Sequence, residues 1–397
     1  MSETQKHTKP NVPNLRFPGF SGEWESRKIG EDCSVLMCKR IFANQTSEQG
    51  EVPFYKIGTI GAEPDAYISR ELFEEYKAKY NYPRKGEVMV TCAGTVGKTI
   101  VFDGKDSYYQ DSNIVWLSNP KQLYINSFLN YFLSRVNWNK LNSTTITRIY
   151  NDNLRELVIK YPSVKEQEKI VSLLSLLDQR IAVQSKVIED LKKLKAALCS
   201  SLFSQGRTIA VALSDIGESF STMNLSKEDL TDSGAECILY GELFTTYDRV
   251  IKDVKSHTLI ETNEGVTISG LNDLLFPAST TVDAISLIAP AAISKPGVIL
   301  GGDMFGIRLS AQYNNRYMSN LLYHCYRREL ASYAQGSTII HLHYKDIKRI
   351  KIQVHPKELQ DVIANTLDLL DRRIADEQRI SAYYTSQKTY LAGKMFI

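Results

Sequence analysis

The run Gly94-Thr95-Val96-Gly97-Lys98-Thr99 carries the GK(S/T) ending of a loop that could cradle phosphate. That loop also requires glycine five positions before Gly97, where this chain has Cys92. It must lead into a helix, whereas Thr99-Ile100-Val101-Phe102 followed by Asp103-Gly104 reads as a strand and a turn. Nucleotide hydrolysis is therefore strongly disfavoured, and two readings lead. Either the glycines serve only the geometry of a tight inter-strand loop, or Thr95, Lys98 and the backbone amides approach a nucleic-acid phosphate.

His341-Leu342-His343 raises metal chemistry, since alternate residues on a strand share a face and two imidazoles could chelate. The six cysteines, at 33, 38, 92, 199, 237 and 325, form no CxxC pair and no Cys/His cluster of metal spacing. They read as thiols of a reducing cytoplasm. An adenine methyltransferase would need an FxGxG loop and an (N/D)PP(Y/F) tetrapeptide, but Asn119-Pro120-Lys121 is an ordinary turn. Scattered Ser, His and Asp assemble into no triad. The chain reads as non-catalytic, with no cofactor of its own.

The elements that would position these residues follow from an internal repeat. Residues 162–203 and 355–396 are versions of one another at an offset of 193, sharing LLD(Q/R)RIA and a closing Phe203 or Phe396. In the first copy Ile170, Leu174, Leu177, Ile181, Gln184, Ile188, Leu191, Lys195, Leu198 and Leu202 follow the 4,3 spacing of a coiled-coil seam. The second copy repeats it through Ile363, Leu367, Leu370, Ile374, Glu377, Ser381, Tyr384, Lys388, Leu391 and Met395. The polar interruptions fall at matching sites, Gln184 with Glu377 and Lys195 with Lys388. Matching polar sites suggest a fixed register.

Ser163 and Glu166 predict a capping box, Pro356 suits the first turn of the second helix, and Gly206 can close the first. Each helix, roughly 60 Å long at 1.5 Å per residue, is too one-sided to stand alone. Because a compact domain enters and leaves at neighbouring points, the helices should pack antiparallel. The interface expected between them includes Leu174, Leu177, Ile181, Ile188, Leu367, Leu370, Ile374 and Leu391.

Outside the helices the repeat is faint. EVMVTCAG at 87–94 and LLFPAST at 274–280 both read as a buried strand entering a small-residue loop, with Ala93–Lys98 set against Ala278–Asp283. Residues 143–154 match 336–347, placing Thr145 opposite Thr338, and Arg148 and Tyr150 opposite His341 and His343. Arginine and tyrosine are poor zinc ligands but good contacts to phosphate, sugar or base edges, which favours nucleic acid over metal. A plain surface strand stays open beside that reading. Asn151 and Lys345 extend the same polar edge, and Lys345, Lys348, Arg349 and Lys351 could line phosphates or form a solvated face.

The organisation expected is a polar, disordered tail at 1–13, globular domains at 14–161 and 207–355, and helices at 162–206 and 356–397. The fold class is α+β, with two mixed α/β domains joined by two long antiparallel helices in a pseudo-twofold coiled-coil spacer. With 397 residues, 43% hydrophobic and 23% charged, the chain suffices for two or three domains with real cores. Net charge of +3 excludes a purely electrostatic histone-like binder and leaves room for localised basic faces. No apolar run is long enough to span a bilayer, and a cytoplasmic location is expected.

Three segments stand out together, LRFPGFSGEWESRKIGE near the start, EVMVTCAGTVGKTIVF, and KEQEKIVSLLSLLDQRI in the central repeat. With these the chain resembles, over nearly its whole length, the specificity subunits of type I restriction-modification systems. The resemblance implies two target-recognition domains, each reading one half of a split double-stranded DNA sequence, on helices that also dock two methyltransferase subunits. S-adenosylmethionine, ATP and Mg are then expected in the modification and restriction/translocase partners, which perform adenine methylation and DNA cleavage. On this reading Thr95, Lys98, Thr145, Arg148, Tyr150, Asn151, Thr338, His341, His343 and Lys345 are the candidate DNA contacts. The rival class is a coiled-coil scaffold whose globular domains bind protein.

Overall fold

The two seam copies form the longest elements of the computed structural model, which describes residues 11–138, 148–222, 224–261 and 265–397. The first long helix is Val164–Ser204 and the second Lys357–Met395. Every seam position in both is buried or half-buried, including Leu174, Leu177, Ile181, Ile188, Leu367, Leu370, Ile374 and Leu391. Burial at 4,3 spacing is what a one-sided helix needs. Gly206, at φ +94°, follows the end of the first helix.

The helix starts differ from expectation in one respect. The carbonyl of Ser163 accepts the N–H groups of Glu166 and Gln167, both at 3.0 Å, so the chain does turn helical there. The Glu166 carboxylate, however, does not complete a capping box; it accepts two bonds from the Arg16 guanidinium, at 2.8 and 2.7 Å. A charge-assisted bidentate pair outcompetes a single backbone amide. The Pro356 carbonyl plays the Ser163 role in the second helix, accepting from Leu359 and Gln360.

Two compact units divide the chain, residues 1–184 with 380–397 and residues 185–379, so each contains part of both long helices. In the first unit, Ile170 and Leu174 share a core with Ala392, Met395 and Phe396, and Lys388 reaches back to Asp178 at 2.5 Å. The helical segments therefore run antiparallel. In the second unit the order is reversed but the direction rule is the same: Cys199 and Phe203 pack with Ile363 and Leu367, and Lys195 meets Asp371 at 2.6 Å.

Within each unit the globular part is closed by a two-stranded antiparallel clasp. Glu25–Lys28 pairs with Val158–Tyr161 in the first, and Ile209–Ala212 with Lys351–Val354 in the second. Entry and exit are thus adjacent in both. Residues 11–13, the described part of the expected tail, lie against the first domain: the Asn11 carbonyl accepts from the Trp24 N–H at 2.7 Å and Pro13 is buried.

Both globular parts are built on the same three antiparallel strands. In the first unit these are Ser34–Met37, Ile114–Ser118 and Val88–Thr91; in the second, Gly217–Ser221, Met304–Leu309 and Asp273–Pro277. The central runs VMVT and DLLFP are buried at every position, which is why they read as continuous apolar strands rather than alternating ones. Val88 faces Leu117 as Leu274 faces Ile307. The frame diverges after that. In the first unit residues 92–98 turn tightly into the antiparallel strand Thr99–Val101, whereas in the second residues 278–290 make a longer excursion, with the short helix Ala284–Leu287, before strand Ala291–Ile293.

Candidate nucleic-acid interface

The 92–98 turn is held by its own backbone together with the Thr91 hydroxyl. Gly97 N–H donates to the Thr91 carbonyl at 2.8 Å, Lys98 N–H donates to the Thr91 hydroxyl at 3.0 Å, and that hydroxyl donates to the Thr95 carbonyl. Gly97 sits at φ +81°, and a Cβ there would lie 2.0 Å from the Trp138 indole. Glycine is required by packing and backbone alike. The turn leads into a strand, as the residues after Lys98 predict, and not into the helix that a nucleotide-binding loop needs. Thr95 is exposed at its tip, while the Lys98 ammonium is tied to the Ile60 carbonyl at 2.6 Å. One of its three donors is thereby spent inside the domain.

Beside this turn, the Ile149 N–H donates to the Cys92 carbonyl at 2.9 Å. Ile149 is buried and Tyr150 exposed, with the Arg148 guanidinium 5.9 Å from the Tyr150 ring centre. The second unit repeats the arrangement: Leu342 N–H donates to the Ala278 carbonyl at 2.9 Å, Leu342 is buried, and the His341 and His343 rings stack 6.1 Å apart with 8° between their planes. Each unit thus turns a cationic or aromatic pair outward over one buried aliphatic pivot. This equivalence also corrects the sequence register by one residue, since Cys92, not Ala93, is the structural counterpart of Ala278.

The remaining candidates are placed as follows. Asn151 opens the short helix Asn151–Arg155, whose counterpart Tyr344–Ile347 carries Lys345. Lys345 lines a cleft of about 510 Å³ with Ser219, Thr222, Asp303, His343 and Tyr344. Thr338 is exposed on a tight loop closed by the Gln335 and His341 backbones. Thr145 lies outside the described residues. Lys345, Lys348, Arg349 and Lys351 are all exposed, and none makes an ion pair among the described residues.

Burial pushes the thiols of Cys33, Cys92, Cys199 and Cys237 up to about 11 and that of Cys38 up to about 12, which keeps them neutral. Among the described residues no three His, Cys, Asp or Glu side chains gather as a metal would require. No described helix is long and apolar enough to cross a membrane.

Several positioning residues escaped the sequence reading. Gln167 and its repeat counterpart Gln360 are both buried, and each fastens the start of a long helix to its domain. Gln167 Oε1 accepts from the Ile125 N–H while its Nε2 donates to the Leu123 and Pro162 carbonyls. Gln360 Oε1 accepts from the Asn314 N–H while its Nε2 donates to the Gln312 and His355 carbonyls. The offset of 193 between them was the available signal. Asp178 and Asp371, the aspartates of LLD(Q/R)RI, stand at the same offset and pair with the seam lysines. Desolvation raises the Asp371 carboxyl above its ordinary value, with Lys195 opposing the shift.

Known proteins with the same pattern agree with this duplication. The type I restriction modification DNA specificity domain matches twice, at residues 21–193 and 210–382. The type I restriction enzyme specificity subunit S.HindORF215P of Haemophilus influenzae is 52% identical over 147 residues, 37% of this chain and 38% of that protein. The MjaX specificity subunit of Methanocaldococcus jannaschii is 22% identical over 98% of both chains. Among solved structures, the S subunit of a type I restriction-modification system from M. genitalium superposes with a TM-score of 0.62 at 18% identity, covering 97% of this chain and 99% of that one. A chain from a structure addressing complex assembly and conformational transition of the type I R-M system gives 0.57 at 14% identity, with coverage of 97% and 99%. These two similarities concern the fold. With both halves of its internal repeat matched, the chain belongs to the type I restriction-modification DNA-specificity family.

Proposed function

We propose that the two globular domains, 14–161 and 207–355, each read one half of a bipartite, asymmetric double-stranded DNA target, and that the helices at 162–206 and 356–397 fix the interval between the halves. The observation that carries this reading is the duplicated DNA-specificity domain in which one frame supports two different outward pairs, Arg148 with Tyr150 and His341 with His343. A common frame with unlike tips suits two unlike half-sites. Thr95, Asn151, Thr338 and Lys345 are assigned to the same contacts, with Lys98 in a supporting place and Thr145 retained from its match to Thr338.

The chain itself performs no chemistry on this reading. Two methyltransferase subunits carrying S-adenosylmethionine methylate adenine, and restriction/translocase subunits using ATP and Mg cleave, all in the cytoplasm. Support for helical docking comes from apolar residues left outside the seam: Leu176, Val183, Leu369 and Tyr383 are 54, 64, 64 and 71% exposed and recur at heptad intervals. Equilibrium binding of the full chain to duplex DNA, alone and with modification subunits, tests the reading. Affinity should fall linearly in log–log form with salt, with a slope of about −0.9 per phosphate contacted. A flat salt response with both preparations would point to a protein-binding scaffold instead.

A further inference from the structure

We propose that the cleft formed around Arg249, Tyr323 and Arg327 is a phosphate-binding subsite of the second domain, taking a phosphodiester of the DNA backbone. The assignment rests on the DNA-reading role proposed above and adds to it a surface that none of the sequence motifs indicated.

Arg249 is only 7% exposed, yet its guanidinium lies 4.0 Å from the Tyr323 ring centre and borders a cleft of about 620 Å³. Arg327 stands over the same ring at 4.6 Å. Two guanidinium groups sharing one aromatic ring repel each other unless negative charge lies close. Little is supplied by the protein. The carboxylate beside Arg249 is Asp248, 3.5 Å away and 78% exposed, and the Arg249 Nη1 donates to the Pro290 carbonyl at 3.2 Å. The exposed Asp283 carboxylate lies within the field of Arg327, which forms no ion pair among the described residues. Its donors go instead to the Ile285 carbonyl at 3.0 Å and the Tyr323 hydroxyl at 3.2 Å.

Among apolar neighbours the cleft lining carries the hydroxyls of Thr280 and Thr281, and Ser286, whose hydroxyl donates to the Asp283 carboxylate at 2.8 Å. All three belong to residues 278–290, the excursion that stands where the first domain has its tight GTVGK turn. Guanidinium plus hydroxyl is the donor set that phosphate recognition uses. The position also suits a strand of DNA. Tyr240 and Gly241 border both this cleft and the next, and Gly302 and Asp303 border both that one and the cleft of His343 and Lys345. The Arg249–Arg327 cleft and the His343–Lys345 cleft thus both adjoin one intermediate cleft, bordered by Gly241 and Gly302 and also by the carboxylates of Glu242 and Asp303.

The test uses the full chain assembled with its modification partners and a duplex bearing the methylated target, titrated by fluorescence anisotropy over a range of salt. Arg327→Gln should flatten the salt slope by about 0.9, the value for one phosphate contact, and Thr281→Glu, at an exposed position on the cleft mouth, should weaken binding about tenfold or more. The methylated sequence should stay the same in both. Thermal melting shows whether each variant is folded, and Thr281→Glu disturbs no packing. Folded variants with the parental slope and affinity would overturn the proposal, as would a changed methylated half-site, which would mean base reading at this cleft. Lys345→Glu separates the two levels: if it weakens binding while the cleft variants do not, the DNA role stands and the phosphate subsite falls. If none of the three changes binding and no salt dependence exists, the DNA role itself falls.

Discussion

Lys195 and Lys388 interrupt the seam at equivalent places, and each is answered by the aspartate of the opposite repeat copy, 176 and 210 residues away in sequence. The lysines were legible because they break an apolar pattern. Their partners were not, because Asp178 and Asp371 sit beside the seam and nothing local announces a pairing over such distances. The two pairs differ in exposure, with side chains 13 and 24% exposed for Lys195 and Asp371 against 31 and 42% for Lys388 and Asp178. Breaking a buried pair by removing one partner is costly, whereas an exposed pair contributes little. Lys195→Met should therefore destabilise the chain by about 2 kcal/mol and Lys388→Met by about 1 kcal/mol or less in denaturant unfolding. In a double-mutant cycle, Asp371→Leu added to Lys195→Met should recover most of the loss. Additive losses would mean that the pair is not coupled. At the same scale, the choice between geometry and phosphate contact for GTVGK is narrowed by Gly97 against Trp138 and by Lys98 on Ile60.

Among elements, the long helices were the most legible, since ten seam positions in each copy overdetermine a 3.5-residue period. What fixes their starts was less so. Glu166 has the type and spacing of a capping residue, but Arg16, far away in sequence, takes its carboxylate. The excursion at 278–290 was also hidden, because an insertion of small and apolar residues keeps the composition of the strand it follows. The proposed interval-setting role belongs to these elements. Inserting two helical turns after Ile181 and, to keep the copies matched, after Ile374 should lengthen the unspecified gap in the methylated DNA sequence by about 3 base pairs, at 1.5 Å per residue and 3.4 Å per base pair. Methylome sequencing reads the result directly. A gap of parental length would remove the helices from that role.

For the whole molecule, duplication was legible from one offset, while the globular halves could be aligned only to within a residue. Small residues at 92–94 and 278–280 fit two registers equally well, and the hydrogen bonds from Ile149 and Leu342 decide between them. The clasps that close each half make exchange of a domain structurally local, since the chain enters and leaves on paired strands. Replacing residues 14–161 by the equivalent domain of a relative should then change one half of the methylated target and leave the other intact. A change in both halves would refute independent reading.

The crosswise lysine–aspartate pairing also constrains descent. Each copy supplies a countercharge for the other, and a substitution at Lys195 leaves the half-buried Asp371 carboxylate behind in the opposite copy. A change in one helical segment is therefore felt in the other, and the two segments are expected to vary together where the domains between them can vary apart.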